Sequence, residues 1–264
     1  MAMNGPATPI LKDLVLIGGG HSHVAVLRRF GMRPLPGVRL TIVARDLDAA
    51  YSGMLPGLIA GHYTFDQTHI DLGPLSRFAG ARLYHDEVVG LDLAGKRVLC
   101  RNRPPVAYDL LSLNIGSAPN TTDVPGATEH AIPVKPIDRF VAHWDMLWRR
   151  VLARREPSRI GVVGAGAGGV ELLLAVRHRL AALLAGNVGA VAAPTYHLVT
   201  ETPEILPSLN PDARRRFARV LAARGVQVHT GARVVRAEEG GPSVVCDLAA
   251  GHRSARAEEH GALG

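Results

Sequence analysis

The chain has 264 residues, of which 47% are hydrophobic and 20% are charged. This balance excludes an intrinsically disordered protein and leaves room for two domains. The net charge is +7, but no Lys/Arg tract interleaves with aromatic side chains, so we expect no nucleic-acid partner. Cys100 and Cys246 form no CxxC pair, which argues against a dithiol redox centre and a cysteine zinc site. No apolar run is long enough for a transmembrane helix, which predicts a cytoplasmic protein whose cationic surface would attract phosphate-bearing cofactors or an anionic membrane surface.

The chain opens with a pattern typical of a nucleotide-binding fold. Residues 13–17 predict a buried strand that runs into Gly18-Gly19-Gly20, residues 21–31 have helical periodicity, and residues 38–43 predict a second strand. Such a unit is the start of a Rossmann-type domain. The elements expected next are a turn-rich loop at 51–57, a helix at 72–78, two strands around Gly95 within 82–99, a strand at 110–115 and an amphipathic helix at 137–155.

The same opening recurs 146 positions later. Residues 159–163 predict a strand, Gly164 to Gly169 a second glycine loop, and residues 170–184 a helix. A strand at 196–200, a helix at 210–224 and short strands at 226–229 and 233–236 are expected after it. We therefore predict an α/β fold of two Rossmann-like dinucleotide-binding domains with parallel sheets, at 11–156 and 157–246. A small antiparallel β crossover belongs to the first domain, and residues 247–264 are expected to be a disordered tail.

The first glycine loop has the chemistry of a pyrophosphate site. Gly18 permits the tight turn, Gly20 lets the backbone approach a pyrophosphate, and the helix beginning near His21 offers free N–H groups. His23 stands in the third motif position, where Gly or Ala normally permits close helix–strand packing. A glycine turn without a ligand and a His21-x-His23 metal pair are the alternatives, although the pair lacks further ligands at suitable spacing.

The strand at 38–43 is followed by two candidates for contacts with the adenosine of a dinucleotide. Either Asp46 reaches the ribose hydroxyls or Arg45 packs over the adenine.

The second loop is a complete G-x-G-x-x-G formed by Gly164, Gly166 and Gly169 between a predicted strand and helix. Glu171 is expected in the first helical turn, where it either stabilises the helix N-terminus or takes part in proton delivery. The ribose-binding position after the next strand is ambiguous, because Thr200 occupies the usual place of the acid and Glu201 follows it. Glu201 would favour NADH, because a carboxylate repels a 2′-phosphate.

Two such loops in tandem resemble the flavoproteins with two dinucleotide-binding domains, which include ferredoxin reductases, type II NADH dehydrogenases and pyridine-nucleotide disulfide reductases. The segment from Asn114 to Pro119 is similar to the family's A-T-G-S-x-P link, and Gly164 to Leu172 is similar to its G-x-G-x-x-G-V-E-L. The segments Gly18–Val24, Tyr51–Gly57 and Val134–Ile137 resemble the branch often fused to selenophosphate synthetase, which implies a functional link to that enzyme.

The resemblance implies that the first loop binds FAD and the second binds NAD(P)H. The positions it places at FAD are Gly18, Gly20, His21 and Ser22 at the pyrophosphate, Ser52, Gly53 and Met54 toward the flavin, Val88 at the adenine and Gly116 in the link. It places Glu171 near the nicotinamide and flavin, and Lys135 is expected to pair with Glu171 in the cleft.

The sequence also departs from the family. No CxxC follows the first helix, so disulfide reductase activity is not expected. Family members return to complete the FAD domain after the NAD(P)H domain, and here that segment is absent, so the chain is expected to be C-terminally truncated. The predicted function is an FAD-dependent NAD(P)H oxidoreductase, or a fragment of one, that reduces a small acceptor such as a quinone. The alternative is a nucleotide-binding module without catalysis of its own.

Overall fold

The computed structural model describes residues 9–117, 123–154, 156–186, 193–238 and 243–246. Backbone contacts divide the chain into two compact units. The first unit comprises the described residues of Met1–Tyr51 and Phe65–Gly116, and the second comprises those of Ser52–Thr64 and Ser117–Gly264.

Strands and helices alternate along much of the chain. The strands are β1 (Lys12–Ile17), β2 (Val38–Ala44), β3 (Asp48–Ala50), β4 (His69–Asp71), β5 (Arg82–His85), β6 (Val88–Asp92), β7 (Arg97–Cys100), β8 (Val106–Ala107), β9 (Leu110–Leu113), β10 (Ala131–Pro133), β11 (Arg159–Val163), β12 (Thr195–Val199), β13 (Val226–His229) and β14 (Ser243–Cys246). The helices are α1 (His21–Met32), α2 (Leu55–Ala60), α3 (Phe65–Thr68), α4 (Leu72–Phe78), α5 (Ala127–His130), α6 (Ile137–Ala153), α7 (Ala167–Ala185) and α8 (Pro211–Ala223). A 3₁₀ turn, Ser52–Met54, precedes α2.

The first unit is built on a four-stranded parallel sheet with the order β5-β2-β1-β9. Val15, Leu16 and Ile17 are all buried, as expected for a central strand that is covered on both faces. Leu27 and Phe30 of α1 cover one of these faces. The chain runs from β1 to β2 and β5 on one side and reaches β9 on the other, so a topological switch point lies at the carboxyl end of β1.

The antiparallel part of the first unit differs in detail from the prediction. The stretch at 82–99 was expected to form strands of one crossover, but β5 joins the parallel sheet, and only β6 and β7 form the hairpin, which β8 extends. Asp86 lies between β5 and β6, and its buried carboxylate accepts hydrogen bonds from the N–H groups of Glu87 at 2.7 Å and Asn102 at 3.1 Å. A second, small antiparallel pair joins β3 and β4.

The second unit is built on a five-stranded parallel sheet with the order β10-β14-β11-β12-β13. Ile160, Val162 and Leu198 are fully buried in its core. β11 lies between β14 and β12, so the topology switches at its carboxyl end, as it does at β1. The predicted α/β fold with two parallel sheets is confirmed.

The two units are divided differently from the predicted domains 11–156 and 157–246. Helix α6 joins the second unit because Phe140, Trp144 and Leu147 pack into the core around β11 and α7. Helix α2 joins it too, through Leu55 and Ile59. The predicted tail at 247–264 lies outside the described residues.

Four elements of the second unit differ from the prediction. Helix α7 begins at Ala167, three residues before the predicted start, because the glycines of the loop form its first turn. The strands β10 and β14 were not predicted, and residues 234 and 235 form only an isolated bridge where a strand was expected. Among the described residues, no helix combines the length and apolar character that crossing a membrane requires.

Candidate functional site

The first glycine loop lies at the carboxyl end of β1, at the topological switch point. Gly18 has a φ of +90°, a conformation that favours glycine, and its N–H donates to the carbonyl of Val43 at 2.8 Å. The N–H of Gly20 donates to the carbonyl of Asn114 at 3.2 Å. The loop is therefore held by β2 on one side and by the residue after β9 on the other.

Helix α1 presents unused backbone donors to this loop. Gly20 is its N-cap residue, so the helix start has no side-chain cap. The N–H groups of Gly19, His21 and Ser22 have no hydrogen-bond partner within the described ranges. Free N–H groups at the positive end of a helix dipole are what a pyrophosphate requires.

His23, in the third motif position, is a buried structural residue with an exposed fraction of 1%. Its Nδ1 lies 2.7 Å from the carbonyl oxygen of Gly18, and its Nε2 lies 2.9 Å from the hydroxyl of Ser112 on β9. A carbonyl oxygen only accepts, so Nδ1 carries the proton. Burial lowers the pKa of His23, and the hydrogen bond to Gly18 acts in the opposite direction. The ring is therefore neutral near pH 7, and the Ser112 hydroxyl donates to Nε2.

His21 does not form a metal pair with His23. Its exposed ring lies against Tyr51, with ring centroids 4.7 Å apart, while both nitrogens of His23 are hydrogen-bonded within the protein. In the part of the chain that the structure describes, no three His, Cys, Asp or Glu side chains are grouped to hold a metal ion. His21 stays a candidate for the pyrophosphate.

Three other predicted positions lie at the same edge of the first sheet. Arg45 follows β2, Val88 begins β6 shortly after β5, and Gly116 follows β9. Arg45 and Asp46 form an ion pair, with Nη2 and Oδ2 2.6 Å apart. The two candidates for adenosine contacts, which the sequence presented as alternatives, are therefore paired with each other in the structure.

Sequence reasoning missed the contribution of Asn114 to this loop. A Cβ added at Gly20 would lie 2.3 Å from the Asn114 side-chain oxygen, so any other residue here would require the Asn114 side chain to move. The available signal was the position of Asn114 at the start of the segment N-I-G-S-x-P.

The second glycine loop repeats the geometry of the first at the carboxyl end of β11. Gly164 has a φ of +105°, and its N–H donates to the carbonyl of Val199 at 2.8 Å, as Gly18 does to Val43. A Cβ added at Gly169 would lie 1.9 Å from the carbonyl oxygen of Gly164, which is the close approach that the third motif glycine permits.

Gly166 is the glycine that folding does not explain. Its φ is −70°, which any residue adopts, and a Cβ added there would meet no atom within 4 Å. It is exposed and is the N-cap residue of α7. The space over Gly166 is therefore open for a ligand that must approach the backbone closely.

Two other helices of this protein show the usual way to satisfy a helix start. Asp71 caps α4 by accepting from the N–H of Gly73 at 2.7 Å, and Asn210 caps α8 by accepting from the N–H of Ala213 at 2.9 Å. Within the described residues, no side-chain cap is present at the start of α1, α2, α5, α6 or α7, and of these helices only α1 and α7 follow a glycine loop at a topological switch point. Both loops therefore fit the pyrophosphate of a dinucleotide.

Glu171 was predicted in the first turn of its helix, but it is the fifth residue of α7 and lies beyond that turn. It lines a cleft of about 430 Å³ within the second unit. The polar groups of this cleft are Glu171 and His178 of α7, His62 after α2 and Arg224 after α8, and its apolar lining includes Leu174 and Val220. The rings of His62 and His178 have centroids 5.1 Å apart. A carboxylate and two imidazoles thus line one cleft.

Lys135 does not form the predicted pair with Glu171. Its ammonium donates to the hydroxyl of Ser117 at 3.3 Å, and among the described side chains no ion pair joins it to Glu171. Ser52, Gly53 and Met54 form the 3₁₀ turn before α2 and belong to the second unit.

Glu201 lies just beyond the carboxyl end of β12, at the edge of the sheet where the second loop lies. Its side chain is exposed, whereas the neighbouring Thr200 is buried and bonds to Thr202 through their hydroxyls at 2.7 Å. Of the two residues, Glu201 is therefore the one available to a ribose.

The sequence profile of the pyridine nucleotide-disulphide oxidoreductases matches residues 12–255. The chain belongs to this family. FAD and NAD(P)H are the cofactors of the family.

Curated relatives of this family member include two bacterial proteins. The NADH dehydrogenase-like protein YutJ of Bacillus subtilis is 29% identical over 172 residues, which are 63% of this chain and 45% of that protein. The NADH dehydrogenase-like protein Rv1812c of Mycobacterium tuberculosis is 30% identical over 191 residues, which are 71% of this chain and 46% of that protein. The chain thus spans about half the length of the curated relatives it matches.

Solved structures show the same fold. An NDH2 from Plasmodium falciparum in complex with NADH superposes with a TM-score of 0.75 at 15% identity, covering 90% of this chain and 55% of that one. A ferredoxin reductase from Rhodopseudomonas palustris superposes with a TM-score of 0.70 at 17% identity, covering 90% of this chain and 59% of that one.

Proposed function

We propose that the chain is the dinucleotide-binding part of an FAD-dependent oxidoreductase that takes hydride from NAD(P)H and reduces a small acceptor such as a quinone. The observation that carries this proposal is the presence of two loops of one geometry, each at a topological switch point and each followed by a helix without a side-chain cap. We assign FAD to the loop of Gly18, Gly20, His21 and Ser22, and NAD(P)H to the loop of Gly164, Gly166 and Gly169. Bound FAD would supply the redox chemistry by accepting hydride and passing electrons to the acceptor.

The role of the protein is then to bind and orient the two dinucleotides and to transfer protons. Reduction of a quinone takes two electrons and two protons, and a hydride carries the electrons with only one proton. The remaining proton comes from the medium, so a titratable group in an open cleft is needed to carry it. Glu171 fits this task because it lines the same cleft as His62 and His178. These imidazoles would supply a new proton to Glu171 after it has given one up.

Replacing Glu171 by glutamine tests this role, because glutamine keeps the shape of the side chain and removes its charge. We expect NADH-dependent quinone reduction by the flavin-loaded protein to fall roughly tenfold, equivalent to about 1.4 kcal/mol, with the melting temperature nearly unchanged. Glu129→Gln, on the surface of α5 in the same unit, is the matched control. A full rate per bound flavin in Glu171→Gln would remove Glu171 from the chemistry.

The second loop is proposed to prefer NADH, since Glu201 is exposed at the edge where the ribose would lie. Its carboxylate would accept hydrogen bonds from ribose hydroxyls and repel a 2′-phosphate. Calorimetric titration should therefore give a lower Kd for NADH than for NADPH. The Glu201→Gln variant should show a smaller ratio between these two Kd values. Tighter NADPH binding by the unmodified chain would contradict this assignment.

A nucleotide-binding module without catalysis of its own is the second candidate, and the open backbone over Gly166 supports it, because that feature accounts for the binding of a dinucleotide without any reaction. Such a module would bind NADH through the second loop and show no NADH-dependent reduction of a quinone when FAD is added. A functional link to selenophosphate synthetase is a further part of our proposal and is supported by the resemblance of the Gly18–Val24 and Tyr51–Gly57 segments.

A further inference from the structure

The two glycine loops differ in how their third motif position meets the first glycine. In the second loop, Gly169 approaches the carbonyl of Gly164 so closely that even a Cβ would overlap it. In the first loop, His23 takes the same position relative to Gly18, and its ring reaches the equivalent carbonyl with a hydrogen bond of 2.7 Å. The carbonyl of Gly164 is thus packed against the backbone of Gly169, whereas the carbonyl of Gly18 accepts a hydrogen bond from the side chain of His23.

The ring of His23 also connects this loop to another strand. Its Nε2 accepts from Ser112, which lies on β9 opposite Leu16 of β1 in the parallel ladder. β9 leads directly to Asn114, whose carbonyl binds the N–H of Gly20. His23 therefore contacts the loop at Gly18 and the strand that holds Gly20.

We propose that His23 is the positioning residue of the first dinucleotide site. Its Nδ1–H fixes the carbonyl of Gly18 and its Nε2 fixes Ser112, so that the start of α1 keeps the N–H groups of His21 and Ser22 where a pyrophosphate meets them. This inference rests on the proposed function, in which the first loop binds FAD.

The role requires one tautomer and one donor position. An apolar side chain of similar size would fill the space but leave the Gly18 carbonyl without its side-chain donor. Asparagine would keep a donor, because its side-chain Nδ2 stands near the place of the histidine Nδ1. The pair His23→Leu and His23→Asn therefore separates hydrogen bonding from the filling of space.

The experiment compares FAD and NADH affinities of the full chain and of these two variants, by flavin fluorescence and by calorimetry. Leucine at this position should raise the Kd for FAD roughly tenfold or more, and asparagine by no more than about threefold. NADH affinity at the second loop should stay within about twofold in both variants, which shows that the second unit is intact. His143→Leu is the matched control, because the exposed His143 also bonds a backbone carbonyl through Nδ1, at 2.7 Å from Arg139.

If His23→Leu does not fold, a second measurement on the wild-type protein still tests the proposal. Nitrogen-15 spectra of histidine-labelled wild-type protein should show His23 protonated at Nδ1 and unprotonated at Nε2 near pH 7. The opposite tautomer, an unchanged FAD affinity in His23→Leu, or an equal loss in His23→Asn and His23→Leu would each overturn the role of His23. A wild-type chain that binds no FAD at all would instead overturn the proposed function, and this role with it.

Discussion

Replacing Gly166 by alanine is expected to weaken NADH binding strongly while leaving the fold intact. The added methyl group would meet no protein atom within 4 Å, and the φ of −70° suits any residue. It would instead occupy the space through which a pyrophosphate approaches the start of α7. We expect the Kd for NADH to rise roughly tenfold or more, and the free energy of unfolding to change by no more than about 1 kcal/mol.

Gly161→Ala is the matched control for this experiment. Gly161 lies in β11 of the same unit, and a Cβ added there would also meet no atom within 4 Å. It precedes the glycine loop and should leave NADH affinity unchanged. Equal NADH affinity in Gly166→Ala and the unmodified chain would contradict the assignment of the second loop, provided that both proteins melt at similar temperatures.

Replacing Gly169 by alanine should have the opposite profile, a loss of stability that does not depend on any ligand. The new Cβ would overlap the carbonyl oxygen of Gly164 at 1.9 Å. The positions of both atoms are fixed by the backbone, so no side-chain rotation can relieve the overlap. Helix α7 must therefore shift away from β11. Such a shift disturbs the core packing of Val170 and Leu173, which follow this glycine in the helix and are fully buried. Overpacking of this kind costs about 1–3 kcal/mol, which corresponds to roughly 2–4 °C in melting temperature per kcal/mol.

Gly186→Ala provides the comparison for this second prediction, because Gly186 ends the same helix with a φ of −87° and its nearest neighbour to an added Cβ is at 3.8 Å. We expect this variant to melt like the unmodified chain. If Gly169→Ala also melted at the unmodified temperature in thermal denaturation without nucleotide, the close packing of α7 on the loop would be refuted.

The fold was predictable because its strongest elements depend on local pattern. The buried runs of β1 and β11, the glycines after them and the periodicity of α1 all follow from residues close in sequence. The strands β10 and β14 are short and gain their place only by pairing with each other and with β11, so no local pattern marks them. Helix α6 looked like the end of the first domain, and only its packing on β11 and α7 assigns it to the second unit.

The candidate sites were predictable in their glycines and less so in their side chains. The positions of Gly18 and Gly164 follow from the motif, and both have the positive φ that a tight turn requires. The link from His23 to Ser112 joins residues far apart in the chain, so the sequence showed only an exception to the motif. The grouping of Glu171 with His62 likewise depends on how α2 packs on α7, which no spacing in the sequence encodes.

The most direct test of the central claim is the absorbance of the purified full chain after incubation with FAD and removal of unbound flavin. A flavoprotein should keep an absorption band near 450 nm, and anaerobic addition of NADH should bleach that band as hydride is transferred. We expect both results. A colourless protein that still binds NADH would contradict the claim that the first loop holds FAD, and a yellow protein that NADH does not bleach would contradict hydride transfer between the two sites.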